Sequence, residues 1–419
     1  MTTTLEDRLR DAYQAAARTV RPETIRPNVQ YQPESARSRM RFSVFAPVAA
    51  AAAVAAAIAT AVAVPHLVSG GGPAVVESAP ASTTSAPPFI AEQADVSGSR
   101  RLIVQRTGTK HITASIALPG GANYWEGVAA TGDTTFIAAA STNSGRAYTS
   151  ALYQFTISAK GQLSRLTRLV SGIPGEITAL TASQDGRHIA YVTLPANGTK
   201  ATISITSRTG GTGGTGGTGG TSSTVTRHWT AEGMATPGGT GLLNGTLSFT
   251  ADGSELGFIM FRVADTVGPV RAAGTMWLLP ADSAAGSATA RARKVTTGPR
   301  DSAPFSTVLS GDGRTMYVLS TPAPVPDSGH VSSEPVTLSA YSTADGALIR
   351  TVHTWTGVPT GLAIEPGMTI SRGGGQLLVW GVGGTAAYQV DPVSGAVKPT
   401  WLYSLQDKGQ ALYGSSIAW

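Results

Sequence analysis

A unit of strand, Asp-Gly turn and strand returns along this chain at nearly constant spacing. It stands as Thr178–Val192, Gly245–Ile259 and Phe305–Leu319, with the turns Asp185-Gly186, Asp252-Gly253 and Asp312-Gly313. Weaker copies are Gly127–Ile137 and Met368–Val379. Asp-Gly supplies the positive φ that a tight hairpin needs, so each copy is a β-hairpin. The turn glycines Gly132, Gly186, Gly253, Gly313 and Gly374 lie 54, 67, 60 and 61 residues apart. The longest interval holds a Gly-Gly-Thr tract, an insert over 207–223 that forms a floppy surface loop. A second hairpin follows in most copies, as in Leu152–Leu163, Leu338–Ile349 and Ala387–Val397.

Two hairpins per copy make a four-stranded antiparallel sheet, and such a sheet repeated around an axis is a β-propeller. Five copies are visible. Gly414–Trp419 reads as a strand without its hairpin, and Arg101–Arg106 and His111–Leu118 as strands without a turn. Together they make a sixth blade that closes the ring from both ends. The expected fold is therefore an all-β propeller over 100–419 with six blades, seven being the alternative. Only 13% of residues are charged and 50 are Gly, which suits short strands joined by tight turns. Cysteine is absent, so neither disulfides nor a Cys-ligated metal contribute.

The segments Ser183–Tyr191 and Ser310–Tyr317 follow Ser-x-Asp-Gly-x-x-apolar-x-Tyr with small variations. In this the chain resembles TolB-like and WD-repeat-like propellers. The resemblance implies the fold and leaves function open, because propellers bind, scaffold and catalyse alike.

No Asp, Glu, Lys or Arg occurs between Arg41 and Glu77. Residues 43–65 form an Ala-rich apolar run, and about 22 helical residues reach roughly 33 Å, the thickness of a hydrocarbon core. Arg37, Arg39 and Arg41 flank it on one side, while the next Arg or Lys beyond it is Arg100. That asymmetry places the N-terminus in the cytoplasm and the large domain outside. Ala61-Val-Ala63 also fits a signal-peptide cleavage site, but about forty residues precede the apolar run. Within 1–42, Thr3-Thr-Leu-Glu6 reads as a capping box and opens an amphipathic helix over 5–20 with an apolar face of Leu5, Leu9 and Tyr13. That face suits docking on a cytoplasmic regulatory partner; a frayed tail or membrane-surface helix is the plainer reading. Residues 66–99, rich in Pro, Ala, Ser and Thr, read as a stalk. The layout resembles that of single-pass bacterial membrane proteins of the anti-sigma-like kind, without their His/Cys zinc motif.

The formal net charge of +6 is split evenly between residues 1–47 and the rest, and no basic run is interleaved with aromatics. Nucleic-acid binding therefore has no support. Gly-x-Ser-x-Gly and His-Glu-x-x-His do not occur, and the six histidines have no metal spacing. No cofactor and no catalytic constellation is implied. The recurrent Asp185, Asp252 and Asp312 read as turn formers. Glu126, Glu176, Asn244 and Glu365 precede the inner strands at similar offsets, and such a ring at the channel mouth suits a cation or a polar ligand. The leading expectation is a membrane-anchored extracytoplasmic binding or sensing protein that takes a protein partner or small ligand. The alternatives are a propeller enzyme of the metal-dependent lactonase or hydrolase type, and an envelope scaffold.

Overall fold

A computed structural model describes residues 86–96, 99–143, 147–195, 200–209, 223–232, 240–242, 247–263, 271–295, 302–322, 335–356, 366–382, 387–402 and 417–419. The helix expected over 5–20 with Leu5, Leu9 and Tyr13, the span over 43–65, Asn244 and Glu365 all lie outside these residues. Among the described residues, no helix is long and apolar enough to cross a membrane.

Six antiparallel sheets follow one another along the chain, one per blade. Blade one takes its innermost strand, Ile417–Ala418, from the far end of the sequence. Phe89–Val96, Ser99–Arg106 and Ile112–Ile116 continue it outward. Blades two and three each run outward in chain order, over residues 124–174 and 176–232. Blade four has its inner strand in two pieces, Thr240–Leu242 and Ser248–Phe249, both paired to Glu255–Val263. Blades five and six cover residues 302–355 and 367–400. The propeller starts earlier than the change of composition at 100 indicates. Phe89–Val96 falls in the range read as stalk, yet it is a fully paired strand. Its Phe, Ile and Ala residues are too few to stand out beside the Pro/Ala-rich stretch before it. The Gly-Thr insert is likewise narrower than 207–223, because Ser207–Thr209 pairs with Ser223–Val225 and leaves only 210–222 beyond the ladder.

The middle strands explain why the sequence is so apolar. Each is covered on both faces by neighbouring blades, so its residues form continuous buried runs instead of alternating. His188–Leu194 is buried from Ile189 to Thr193, and Leu377–Trp380 throughout. A cluster of apolar side chains fills each of the six gaps between blades. Trp125, Phe136 and Phe155 pack with Phe89 and Val104 between blades one and two. Ile90, Trp380, Ile417 and Trp419 join blade six to blade one. Outer strands are mostly exposed. Blade three has its outer edge covered by Gly286–Ser287, which pairs parallel to it while Trp229 Nε1 donates to the Ala284 carbonyl at 2.9 Å. Covering an edge in this way removes a template for strand addition.

The repeated turn has one hydrogen-bonding plan. Ser183, Thr250 and Ser310 donate to Asp185, Asp252 and Asp312 at 2.6, 2.7 and 2.6 Å. Each hydroxyl also accepts the backbone N–H five residues on, from His188, Glu255 and Thr315. Gly186, Gly253 and Gly313 take φ of 67°, 72° and 71°, where a β-carbon is strained. Gly132 is the exception: its φ is not positive, and its turn closes by Thr131 N–H to the Thr135 carbonyl at 2.9 Å.

The ring depends on its last strand. We expect Trp419→Ala, which empties a buried site between blades six and one, to lower unfolding stability by about 3–5 kcal/mol. Urea unfolding followed by tryptophan fluorescence checks this; an unchanged midpoint would show that closure does not depend on this contact.

Candidate functional site

The inner strands of all six blades face a central cavity of about 190 Å³. Its wall includes Glu126, Val128 and Ala130 from blade two, Thr178 and Leu180 from blade three, and Ser306 to Val308 from blade five. Blades four, six and one contribute Ser248, Met368 and Trp419. Most of this wall is apolar or hydroxylic; its carboxyls are Glu126, on the inner strand of blade two, and Asp133, in the turn that follows that strand.

Glu126 owes its position to a β-bulge. Trp125 pairs with Ala140 and Gly127 with Ala139, which leaves Glu126 as the extra residue between them. The same irregularity occurs between Ile177 and Ala179, and between Pro304 and Ser306. The residues thrown out of the ladder are thus Glu126, Thr178 and Phe305 in blades two, three and five. Gln93 of blade one donates its Nε2 to the Trp125 carbonyl beside the first bulge.

Burial first, and then the negative charge of Glu176, push the Glu126 carboxyl up to about 7. Its hydrogen bond to Ser141 and the positive Arg100 oppose that rise. Arg100 sits over the Tyr124 ring at 4.8 Å. Glu176 opens the inner strand of blade three directly after Gly175. That glycine has φ of 92°, and a β-carbon on it would lie 2.6 Å from the Leu194 carbonyl oxygen, so no side chain fits there. Of the four residues placed by sequence at the channel mouth, Glu126 borders the cavity and Glu176 acts on it electrostatically. Asn244 and Glu365 lie outside the described residues, although Leu247 and Pro366 nearby border the same cavity.

Two wall residues escaped sequence reading. Thr178 and Thr307 each have an Oγ1 shielded from solvent and without a hydrogen-bond partner among the described residues. Thr307 is only 2% exposed. A buried hydroxyl left unpaired is destabilising by about 1–3 kcal/mol. A polar residue within an apolar inner strand was the only signal for them, and strands of this chain are rich in Thr. At the cavity's other end stand turn residues Gly132, Asp133, Gln184 and Arg372, with Arg372 Nη1 only 3.7 Å from where a β-carbon on Gly132 would be. Among the described residues, no group of three or more His, Cys, Asp or Glu side chains is placed to hold a metal.

No family model and no curated protein matches the sequence. Solved structures match at the level of fold. The tricorn protease does so with a TM-score of 0.38 and 10% identity, over 79% of this chain and 35% of that one. A periplasmic gluconolactonase from Pseudomonas aeruginosa gives 0.39 and 13%, over 75% and 94%. A protein assigned to TolB from Agrobacterium tumefaciens gives 0.36 and 12%, over 74% and 88%. These likenesses concern the propeller alone.

A carboxyl held near 7 when folded and near 4.5 when unfolded binds more protons in the folded state between those values. Its contribution to stability is therefore present below 4.5 and is lost as pH rises toward about 7. Urea midpoints of the wild type should fall across that window relative to Glu126→Gln, and the two curves should run parallel above it. A constant difference at all pH values would contradict the assignment.

Proposed function

We propose that this chain is an extracytoplasmic binding protein whose propeller channel takes a small polar ligand at the end marked by Glu126 and Glu176. One observation carries the reading: a central cavity walled by every blade holds a half-buried carboxyl and the unpartnered hydroxyls of Thr178 and Thr307. Apolar walls with a few polar groups are the usual form of a small-molecule site. Unsatisfied buried hydroxyls are tolerable where a ligand completes them. The uncharged run over 43–65, with arginines on one side only, supports an anchored domain presented outside the membrane. The face of Leu5, Leu9 and Tyr13 supports a cytoplasmic partner to which binding is signalled.

A second reading, a hydrolase, has one observation in its favour. A carboxyl near 7 can exchange a proton at neutral pH, as a general acid or base must. In that case Glu126→Gln would abolish turnover while leaving binding within a few fold.

A thermal-shift screen of small polar metabolites against the full chain in detergent tests the binding reading. Thr307→Val should weaken a genuine channel ligand by about tenfold, as expected for one lost hydrogen bond in a dry site. Ligands that bind equally to wild type, Thr307→Val and Glu126→Gln would remove the channel as the binding site.

A further inference from the structure

Seven large apolar side chains stand exposed among the described residues, and all seven lie at one end of the ring. Val393 sits in the turn before the outer strand of blade six. Ile112, Leu163, Leu166, Val225, Leu348 and Ile349 fall within the first four residues of the outer strands of blades one, two, three and five. Successive strands of a blade run in opposite directions, so the turn before the outer strand lies at the same end as the Asp-Gly turn. Farther along, the same strands bury Ile116, Ile173, Trp229 and Trp355. The exposure therefore belongs to one end of the blades and not to outer strands as such.

Packing between blades draws these side chains together. Arg350 Nη1 donates to the Val393 carbonyl, and a β-carbon on Gly395 would lie 2.8 Å from the Val352 carbonyl oxygen. The turn of blade six thus rests on the outer strand of blade five, and Leu348, Ile349 and Val393, each more than half exposed, share one patch. Blades one and two repeat the arrangement. Arg106 Nη2 donates to the Ala159 carbonyl at 3.5 Å, and a β-carbon on Gly161 would lie 2.5 Å from Thr113 Cβ. That brings the turn before Leu163 onto the strand that starts at Ile112. Exposed cations at this rim include Lys110, Lys160, Arg165, Arg291, Lys294 and Lys398, against Asp282, Asp345 and Asp391.

We propose that this end of the propeller rests on a bilayer bearing anionic headgroups, with its apolar rim in the interface and its Lys and Arg among the headgroups. Apolar side chains interspersed with Lys and Arg are the composition of a membrane-surface element. A lone exposed Leu needs no explanation, but seven large apolar residues at one end of five blades do. The chain also enters the ring at this end. Phe89 pairs with Arg106, just before the third turn of blade one, and Thr107 N–H donates to the Pro88 carbonyl at 3.0 Å. Only residues 66–85 lie between the uncharged run over 43–65 and this entry. The opposite end is about 30 Å further away, the length of a strand of eight to ten residues. Glu126 opens toward that far end, so the ligand mouth faces away from the bilayer. This orientation rests on the anchored reading above.

The chain has no cysteine, so a single introduced one takes a nitroxide label at a known place. Full-length Leu348→Cys and Val393→Cys, with Ser99→Cys and Lys200→Cys as exposed positions at the opposite end, are placed in nanodiscs of equal parts phosphatidylglycerol and phosphatidylcholine. Power-saturation EPR with oxygen and a nickel chelate reads each label. Nickel access at 348 and 393 should be severalfold below that at 99 and 200, and oxygen access higher. Discs of phosphatidylcholine alone should restore nickel access; protection that persists there overturns the role of anionic headgroups. Equal nickel access at all four positions, in a chain that stays with the discs, overturns the orientation and leaves anchoring intact. A chain that washes off the discs at high salt overturns anchoring and the orientation together. Protection of 348 and 393 already in detergent, with a doubled mass, gives the face to a second copy of the chain and overturns the orientation as well.

Discussion

Pairing of Ala418 with Ala91 and of Ile417 with Glu92 joins the end of the sequence to the first strand of the ring. In a propeller every blade is held only by its two neighbours, so a ring with one open joint exposes two apolar sheet faces. Here that joint is closed by backbone pairing and by Ile90, Trp380, Ile417 and Trp419 packed across it. The chain has no disulfide to do this instead. Closure is also the contact of longest sequence separation in the fold, and bringing such distant segments together has the largest loop entropy to overcome. The other five gaps join segments that are neighbours in sequence.

The channel exists because the ring is closed, and its chemistry exists because the inner strands are not regular. A regular inner strand would keep position 126 in the ladder against blade two's next strand. The bulge removes it from that register and sets it beside Ser141, with Gln93 accounting for the Trp125 carbonyl. Gly175 serves twice: its left-handed backbone admits the close approach of Leu194, and its carbonyl accepts from the buried Ser150 hydroxyl. Glu176 follows it immediately, so the carbonyl that accepts from Ser150 and the charge that raises Glu126 share one turn.

The turn chemistry was legible in the chain because it is local. Ser-x-Asp-Gly contains its own donor, acceptor and left-handed residue within a few positions, and the same bonds recur at Ser183, Thr250 and Ser310. Its period showed five blades, and the orphan strands at both ends pointed to a sixth, which the structure contains. Phe89–Val96 was hidden because its neighbours in sequence are Pro- and Ala-rich, while its partners, Ser99–Arg106 and Ile417–Ala418, confer the structure. Gly132 resembles the other turn glycines in spacing yet is not itself left-handed, and its turn is closed by the Thr131 N–H to the Thr135 carbonyl.

Glu126 and Glu176 could be singled out by their offset from the inner strands, but offset says nothing of protonation. Ser141, Ser150, Thr178 and Thr307 are four among many hydroxyl residues, and no pattern in the chain sets them apart. The sequence by itself determined the repeat and the hairpins, because those follow from local turn geometry. Only the tertiary structure decided which carboxyl is desolvated and which hydroxyls face the cavity without a partner. Those properties depend on bulges that shift register by one residue and on groups brought together from different blades, and neither leaves a period to read.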